Sequence, residues 1–445
     1  MATQQPQGYY AASAAPARAR PALTGDLAVD VCVVGAGFTG LSAALQLAQK
    51  GVRVVVLEAE TVGLGASGRN GGQIHTGLCQ TQAELESWLG PVHARDLWNL
   101  TEESKTLVRA LVAQHEIDCD LKPGLVIAAH DARAARELAA DTEHLAKAYN
   151  YSPARMMDRQ ETAAELGTAI YPAARYDTGG GHLHPLRYAR GLAVAAEKAD
   201  VTIFEHSSAL SLDRGRITVR CAEGNITADH VILACDAFMA SIAPELGRYI
   251  GYVESFITAT APLPPDLASQ VLPCDAAVAD TRHVLDYYRK SADGRLLFAG
   301  RESYFSIPAD IARVVRPRML KVYPMLADVP TEFAWSGSVG LTLSRIPHFG
   351  RLSDRIFFAH GYSGQGFALT ALAGKLMAEA VQGRAERFDV FARVPVKSLP
   401  GGPLLRKPFI TAALFAYKLM DAILKNRRPE GLTRLIISGI NELWN

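Results

Sequence analysis

The sequence predicts an α/β protein in which a helix-covered parallel sheet is interleaved with an α+β second domain built on an antiparallel sheet. Three features predict this arrangement. A strand, a glycine-rich turn, a helix and a second strand follow one another between Asp30 and Glu60. Another strand, glycine loop and helix occur near residue 360. A strand-rich block, Gly251–Trp335, lies between them and contains the hairpin signal "LDYYRKSADGRLLFAG".

The composition excludes several classes of protein. The chain has 445 residues, of which 49% are hydrophobic, so it can bury two cores. Its formal net charge of +1 gives no electrostatic footprint for nucleic acid. No apolar run approaches the roughly 20 residues that a membrane span needs. The six cysteines are scattered without a CxxC pair, which favours a reducing cytoplasm. The His182 and His184 pair has no third ligand, so we expect no metal site.

The turn between the first strand and the first helix carries a pattern that holds a dinucleotide. Asp30–Val34 is a β-branched strand, and Gly35, Gly37 and Gly40 follow it as GxGxxG. The first glycine allows a tight turn, the second lets the backbone approach a pyrophosphate, and the third lets the helix pack closely on the strand. The helix directs its N-terminal amides at the phosphates. Glu58 ends the second strand, where the ribose hydroxyls are bound.

The segment that follows favours FAD over NAD. It is the long glycine loop, Gly63–Leu78, with the sequence "GLGASGRNGGQIHTGL". Glycine weakens both helices and strands, so this loop is expected to be irregular and to present backbone amides to one large ligand. Ser67, Arg69, Asn70 and Gln73 add polar side chains. An NAD-binding unit has no need of such a loop, whereas FAD extends from its pyrophosphate to the flavin ring.

These motifs resemble those of the D-amino-acid-oxidase superfamily of flavin amine oxidases. The similarity runs nearly from end to end, through "YYAASA", "DVCVVGAGFTGLSAALQLA", "GGGHLHPLRYA", "WSGSVGLTLSRIPHFGRL" and "GYSGQGFALTALAGKLMAE". "RNGGQ", "LDYYR" and "LTLSRIP" are more specific to the amine oxidase branch. Two positions depart from the pattern. Cys235 and Asp236 stand where Gly-Asn is more usual, and His360 stands where glutamine or another residue is expected.

The resemblance implies FAD as cofactor and oxidation of an amine C–N bond, with oxygen as the electron acceptor and hydrogen peroxide as a product. It points to γ-glutamylputrescine or a related glutamylated polyamine, within putrescine catabolism. It also implies that the second glycine loop, Gly361–Gly366, directs a helix N-terminus at the flavin N1–C2=O edge, and that Ala209 contacts the adenine. The residues expected to hold FAD are Gly35, Gly37, Phe38, Thr39, Gly40, Glu58, Ala59, Gly65, Ala66, Ser67, Arg69, Asn70, Gly71, Gly72, Gln73, Ala209, Gly337, Gly361, Ser363, Gly364, Gln365 and Gly366.

Residues that could orient an amine substrate lie in the same motifs. Tyr287 and Arg289 share one face of a strand and Tyr288 has the other, so one of these faces is expected to line the pocket; packed tyrosines are the alternative. Arg301 and Arg345 could each bind a carboxylate as a fork, or else lie at the surface or hold a loop. The candidates for catalysis are His75, Tyr287, Arg289, Arg301, Trp335, Arg345 and His360.

The two histidines and the tryptophan have different reasons to be candidates. Trp335 flanks the stretch that lies near the flavin ring in the superfamily. His75 follows "RNGGQ" within the long glycine loop and is expected to make a polar pocket contact, with a covalent link to FAD as the alternative. His360 could tune the flavin or the substrate amine, because histidine titrates near neutral pH.

The segments divide into two domains and a tail. Residues 28–105, 177–250 and 336–400 are predicted to form a Rossmann-like FAD-binding domain, and residues 106–176 and 251–335 a substrate domain. Residues 401–445 carry a basic amphipathic pattern that predicts a C-terminal helical tail, packed on the body or in a dimer contact; peripheral membrane contact is the alternative. Two other functions stay open: a membrane-associated amino-acid or imino-acid dehydrogenase that reduces a quinone, and a flavin-binding protein without catalysis.

Overall fold

A computed structural model describes residues 8–282, 284–303 and 306–399. The predicted C-terminal tail, residues 401–445, lies outside these residues. Two β-sheets build the described part, each with its own hydrophobic core. The predicted fold class, an α/β domain interleaved with an α+β domain, is confirmed. None of the helices in the described ranges combines the length and the apolar character that crossing a membrane requires.

The strands alternate with helices in the first half of the chain and predominate in the second. The strands are β1 (Leu27–Val34), β2 (Val54–Leu57), β3 (Gln73–Ile74), β4 (Lys122–Ala128), β5 (Ala154–Met157), β6 (Ala174–His182), β7 (Thr202–Phe204), β8 (Ser211–Asp213), β9 (Thr218–Arg220), β10 (Asn225–Leu233), β11 (Gly251–Thr260), β12 (Ala277–Asp280), β13 (Tyr287–Lys290), β14 (Leu296–Ser303), β15 (Thr331–Leu341), β16 (His348–Ser353) and β17 (Ile356–His360). The α-helices are α1 (Tyr9–Ser13), α2 (Phe38–Ala48), α3 (Gln82–Leu89), α4 (Pro91–Gln114), α5 (Ala132–Tyr149), α6 (Arg159–Leu166), α7 (Pro185–Lys198), α8 (Pro265–Gln270), α9 (Ile311–Val322), α10 (Phe367–Val381) and α11 (Glu386–Ala392).

The first sheet has the strand order β16-β17-β10-β1-β2-β7. From β17 to β7 the neighbouring strands are parallel, whereas β16 is antiparallel to β17. Helix α2 lies between this sheet and α10, so its sequence "FTGLSAALQLA" is apolar on nearly every side. The carboxyl ends of β1, β2, β10 and β17 meet at one edge, which is where open α/β sheets bind their ligands.

The second sheet has the strand order β15-β11-β14-β13-β12-β4-β6-β3, with β5 paired to β6. It is antiparallel apart from the β4–β12 pair, which is parallel. The predicted hairpin is present as β13 and β14. One face carries a core that includes Phe256, Tyr288 and residues of α9. The other face carries Ile257 and Trp335 and packs against α1.

The predicted domain boundaries remain a proposal. Several of them fall inside a helix or a strand rather than between elements. Boundaries at 105/106, 176/177 and 335/336 fall inside α4, β6 and β15, respectively. Strand β3 belongs to the second sheet although its residues were assigned to the FAD-binding domain. Strand β11, by contrast, begins at the predicted boundary, Gly251. The long glycine loop connects the two sheets, because it follows β2 of the first sheet and contains β3 of the second.

Candidate active site

The turn between β1 and α2 adopts the conformation that its glycines predict. Gly35 has a φ of +107°, which side chains disfavour. The next amide, Ala36 N, donates to Glu58 Oε2 over 2.8 Å, and Glu60 N donates to Glu58 Oε1 over 3.0 Å. Burial raises the pKa of Glu58 and outweighs these two hydrogen bonds. The carboxylate is therefore fixed beside the turn, at the end of β2.

Helix α2 begins so close to this turn that its third motif glycine has no room for a side chain. A Cβ on Gly40 would lie 1.9 Å from the carbonyl oxygen of Gly35. Gly37 is the N-cap residue of the helix. Thr39 Oγ1 lies 2.9 Å from Tyr362 Oη, which connects this helix to the second glycine loop. The helix N-terminus is thus held at the ligand-binding edge from two sides.

The long glycine loop is held together by its own polar side chains. Asn70 Nδ2 donates to the carbonyls of Ala66, over 3.0 Å, and Ser67, over 2.9 Å. Asn70 Oδ1 accepts from Gly72 N over 2.7 Å. Ser67 Oγ accepts from Phe38 N over 3.0 Å, at the start of α2. These side chains order the loop backbone, so a ligand along the loop would meet mainly backbone.

Arg69 and Gln73 tie the same loop to its surroundings. Arg69 donates from Nε to the Leu64 carbonyl over 2.8 Å, and from Nη1 to the Ser336 carbonyl over 3.2 Å. Gln73 donates from Nε2 to the Val278 carbonyl over 2.9 Å. The sequence assigned these side chains to FAD, but the structure engages these donors with protein. A loop that is rich in glycine has few side chains to pack, so hydrogen bonds from polar side chains hold it in place. The sequence pattern does not show which acceptors these side chains find.

Asp236 explains one departure from the family pattern. Its Oδ1 accepts from Gly361 N over 2.8 Å, and its Oδ2 accepts from Gly340 N over 3.3 Å. Its φ is +43°, a left-handed conformation that both Asp and Asn adopt more readily than other side chains. Burial raises the pKa of this carboxyl group. Asp236 therefore joins β15 to the second glycine loop.

The second glycine loop leads into α10 as predicted. Ser363 Oγ donates to the Gly361 carbonyl over 3.0 Å and accepts from Thr342 N over 3.3 Å. Gly366 is the N-cap residue of α10. Gln365 Oε1 is buried without a hydrogen-bond partner within the described ranges. A buried orphan acceptor in a ligand-binding loop points to a donor on the ligand.

The remaining predicted FAD residues lie along the same edge. Ala59 follows Glu58, and the chain leaving β7 towards Ala209 runs beside it, since Ser207 N donates to the Glu58 carbonyl over 2.7 Å. Gly337 lies against the Cβ of Arg69. The rest belong to the two glycine loops: Gly65, Gly71 and Gly364.

This edge fits FAD. Two helix N-termini, those of α2 and α10, supply amides and a positive dipole end for the pyrophosphate and for an electron-rich ring edge. Glu58 supplies an acceptor beside the turn, and Gln365 supplies an acceptor that nothing in the described part of the protein occupies. The long glycine loop spans the distance between the first and second sheets, as a cofactor longer than a mononucleotide needs.

Tyr287 lies on the face of the second sheet that meets the long glycine loop. Its ring packs on Gly71, and its Oη lies 3.1 Å from Ser255 Oγ. Burial raises the pKa of Tyr287, so the phenol keeps its proton at neutral pH. Tyr288 points to the opposite face and stacks on Phe298 in the core. The predicted alternation is confirmed, and the Tyr287 face is the one beside the loop.

Arg289 is on the same face but is occupied by the protein. Its side chain is only 4% exposed. Nε donates to the Gly71 carbonyl over 2.8 Å, Nη1 to the Lys290 carbonyl over 3.1 Å, and Nη2 to Tyr10 Oη over 3.1 Å. Because Nε, Nη1 and Nη2 of this guanidinium each donate to a protein acceptor, it is not available for bidentate binding of a substrate carboxylate. Arg289 therefore holds the loop.

His75 is a neutral side chain near the end of the long glycine loop. Its Nε2 lies 3.1 Å from Gln73 Oε1. Burial lowers the pKa of His75 to about 4, and the nearby charge of Arg175 acts in the same direction. At neutral pH the imidazole can donate or accept a hydrogen bond without carrying charge. Its predicted contact with the pocket stays a prediction.

The two remaining arginines have different positions. Arg301 is exposed and pairs across the strands with Phe256, whose side chain belongs to the core under α9. Because Tyr287 points to the other face, the structure does not bring Arg301 to the other candidates. Arg345 is half-buried in the turn after β15, where its charge opposes the effect of burial on the pKa of Cys79. Cys79 Sγ in turn donates to the Ser363 carbonyl over 3.6 Å, so Arg345 lies near the second glycine loop.

Trp335 and His360 are both enclosed. Trp335 is 1% exposed and donates from Nε1 to the Arg69 carbonyl over 3.0 Å. His360 is fully buried, and its Nε2 lies 3.0 Å from His348 Nδ1 on the neighbouring strand. Burial lowers the pKa of His360 to about 3. The His360 ring also packs edge-on against the ring of Phe358 on the same strand. His360 is therefore enclosed within the first sheet.

Sequence reasoning gave no role to Tyr10 or Ser255. Tyr10 is 2% exposed and contacts both Arg289 and Trp335. The signal was available as "YYAASA", two adjacent aromatic residues in an otherwise small and polar N-terminal segment. Ser255 had no signal, since it becomes a site residue only through pairing of β11 with its neighbours.

A parallel sheet with this glycine turn at its carboxyl edge, faced by a second sheet that carries the Tyr287 phenol, has the architecture expected of a flavin-dependent oxidoreductase. The chain belongs to the FAD-dependent oxidoreductase family, since the family model described as "DAO: FAD dependent oxidoreductase" matches residues 30–380. The predicted family, the FAD cofactor and the enzyme class are thereby confirmed.

Relatives extend over almost the whole chain. It is 38% identical over 424 residues to the Gamma-glutamylputrescine oxidoreductase of Escherichia coli, covering 95% of this chain and 99% of the relative. It is 40% identical over 407 residues to the "Probable oxidoreductase OrdL" of Haemophilus influenzae, covering 90% and 94%. Glycine oxidase from Geobacillus kaustophilus has the same fold, with a TM-score of 0.69 at 22% identity, covering 80% of this chain and 95% of that one.

Proposed function

We propose that this protein oxidises the terminal amine of γ-glutamylputrescine, or of a closely related glutamylated polyamine, with oxygen as the electron acceptor. One observation carries the proposal: the 38% identity to the E. coli Gamma-glutamylputrescine oxidoreductase extends over 95% of this chain. The overall reaction would convert R–CH2–NH2, O2 and H2O into R–CHO, NH3 and H2O2. We place the reaction in the cytoplasm, and the six cysteines, all of them unpaired thiols, support a reducing compartment.

The cofactor would be held by the β1–α2 turn, Glu58 and the two glycine loops. FAD, when bound there, supplies the site that accepts a hydride from the carbon next to the amine nitrogen. The protein must then bind the amine in its neutral form, orient it and exclude water.

The side chains on the Tyr287 face suit an uncharged amine. Tyr287 and Ser255 place two hydroxyl groups 3.1 Å apart, so together they can donate to and accept from an amine nitrogen. His75 stays neutral at physiological pH because burial lowers its pKa to about 4, so its imidazole can accept a hydrogen bond from an amine N–H. These three residues are the ones we propose to orient the amine.

The glutamyl end of the substrate needs a cation for its carboxylate. Arg289 is already engaged by three protein acceptors, and Arg301 lies on the other face of the sheet. Arg345, half-buried beside the second glycine loop, is the arginine we propose for that carboxylate.

The proposal is tested by a product balance. Purified protein loaded with FAD is incubated with γ-glutamylputrescine, putrescine, proline or sarcosine in air, and oxygen uptake, peroxide, ammonia and aldehyde are measured together. We expect γ-glutamylputrescine to give the four in equal amounts and to be the preferred substrate. Turnover that needs an added quinone and consumes no oxygen would contradict oxygen as acceptor. Turnover of proline or sarcosine alone would contradict the substrate class.

A further inference from the structure

We propose that helix α1 is a clamp that fixes the long glycine loop for FAD, and that Tyr10 is its positioning residue. The proposal rests on FAD binding and is independent of which amine is oxidised. Helix α1 comprises Tyr9–Ser13, ahead of the first strand of the nucleotide-binding sheet. Its side chains contact three separate parts of the protein: Arg289 and Trp335 of the second sheet, the turn of the β13–β14 hairpin, and helix α7.

Two side chains that hold carbonyl oxygens of the loop both contact Tyr10. Arg289 donates to the Gly71 carbonyl over 2.8 Å and to Tyr10 Oη over 3.1 Å. Trp335 donates to the Arg69 carbonyl over 3.0 Å and packs edge-on against the Tyr10 ring, with 5.2 Å between ring centroids. One buried phenol therefore supports both hydrogen bonds that restrain the loop at Arg69 and Gly71.

The rest of α1 anchors the clamp elsewhere. Tyr9 Oη donates to Asp293 Oδ1 over 2.6 Å, at the tip of the β13–β14 hairpin. Ser13 Oγ lies 3.1 Å from His184 Nε2, and the Ser13 carbonyl accepts from Arg187 Nη2 over 2.9 Å. These contacts bind α1 to the tip of the hairpin and to α7. Tyr9 and Tyr10 thus share a helix and a buried environment but differ in which element their hydroxyl groups hold.

This difference supplies a matched pair of variants. Tyr10→Phe removes the acceptor of Arg289 and keeps the ring, whereas Tyr9→Phe removes a hydroxyl of the same kind that does not reach the loop. Both are studied in the full-length protein after removal of FAD. Binding is measured by titration with FAD, and loop mobility by the rate of trypsin cleavage after Arg69 in the FAD-free protein. The visible circular dichroism of bound flavin at saturating FAD reports how rigidly the cofactor is held.

We expect Tyr10→Phe to weaken FAD binding about tenfold, the size expected for losing a hydrogen bond to a charged group. We also expect faster cleavage after Arg69 and a weaker visible circular dichroism signal. Tyr9→Phe is expected to change each quantity less than about twofold. In an Arg289→Lys background, Tyr10→Phe should have little further effect, because the link to Gly71 is already altered.

The clamp is contradicted if the two tyrosine variants shift FAD affinity and cleavage equally, since α1 would then contribute only general stability. It is also contradicted if Tyr10→Phe lowers the melting temperature while FAD affinity, cleavage after Arg69 and the circular dichroism stay at the wild-type values.

Discussion

The edge of the first sheet and the face of the second sheet are built in different ways. At the edge, Gly35, Gly40 and Glu58 act within a continuous stretch of chain, and each acts through backbone geometry or a neighbouring amide. On the face, Arg289 acquires its role from Gly71 and Tyr10, each more than 200 positions away, and Tyr287 meets Ser255 only because separate strands assemble into one sheet. The nucleotide half is therefore a local property of the sequence, and the substrate half is a property of the assembled fold.

The largest expected effect is at the local site. Gly40→Ala would place a methyl group 1.9 Å from the Gly35 carbonyl oxygen, and because this neighbour is backbone rather than a flexible side chain, the helix or the turn would have to move. We expect a loss of about 3 kcal/mol in the free energy of unfolding and little FAD in the purified protein. Thermal unfolding and the ratio of flavin to protein absorbance measure this. The control is Gly215→Ala, in an exposed turn, and equal behaviour of the two variants would contradict the packing argument.

Glu58 tests the local half through charge rather than packing. Glu58→Gln removes the carboxylate that accepts from Ala36 N and Glu60 N, so the turn loses its charged acceptor. We expect the dissociation constant for FAD to rise about 30-fold. Glu60→Gln, at the exposed neighbouring carboxylate, is the control and should leave affinity within about twofold. A Glu58→Gln protein with wild-type affinity would remove Glu58 from the cofactor site.

Arg345 and Arg301 test the assembled half. Arg345→Ala is expected to raise KM for γ-glutamylputrescine about tenfold with a smaller change in KM for putrescine, which lacks the glutamyl carboxylate. Arg301→Ala is expected to change neither value more than about twofold, because Arg301 lies on the other face of the sheet. Steady-state oxygen uptake measures both. A larger rise in KM for γ-glutamylputrescine in Arg301→Ala than in Arg345→Ala would contradict the assignment of the Arg301 side chain to the opposite face of the second sheet.

A smaller effect concerns pH. Burial lowers the pKa of His360 to about 3, below the roughly 6.5 of an unfolded histidine, so the unfolded state binds the proton more tightly. The contribution of neutral His360 to the free energy of unfolding is therefore fully present above pH 6.5 and is lost as the pH falls towards 3. We expect about 1.3 kcal/mol of loss per such histidine between pH 7 and pH 5.5. Urea unfolding at both values should show a smaller difference for His360→Gln, and an unchanged difference would contradict the assignment.

The difference between the nucleotide half and the substrate half of the site also explains which features the sequence could predict. The strand, helix and glycine pattern predicted the first sheet and the start of α10 because spacing along the chain fixes those contacts. It also predicted that Tyr287 and Tyr288 face opposite ways. It did not predict that Arg289 is engaged by Gly71 and Tyr10, since that pairing depends on packing of α1 against the second sheet. Nor did the glycine-loop pattern predict that the Arg69 side chain donates to the Ser336 carbonyl, 267 positions further along the chain.

The most direct test of the whole account is reduction of the bound flavin by γ-glutamylputrescine without oxygen, followed by admission of air. The account predicts rapid loss of the oxidised flavin absorbance with this amine, a much slower loss with putrescine, none with proline or sarcosine, and full recovery with peroxide when air enters. Reduction by proline or sarcosine in preference, with slow recovery in air, would contradict it and favour a dehydrogenase. Bound flavin that no amine reduces would contradict catalysis itself.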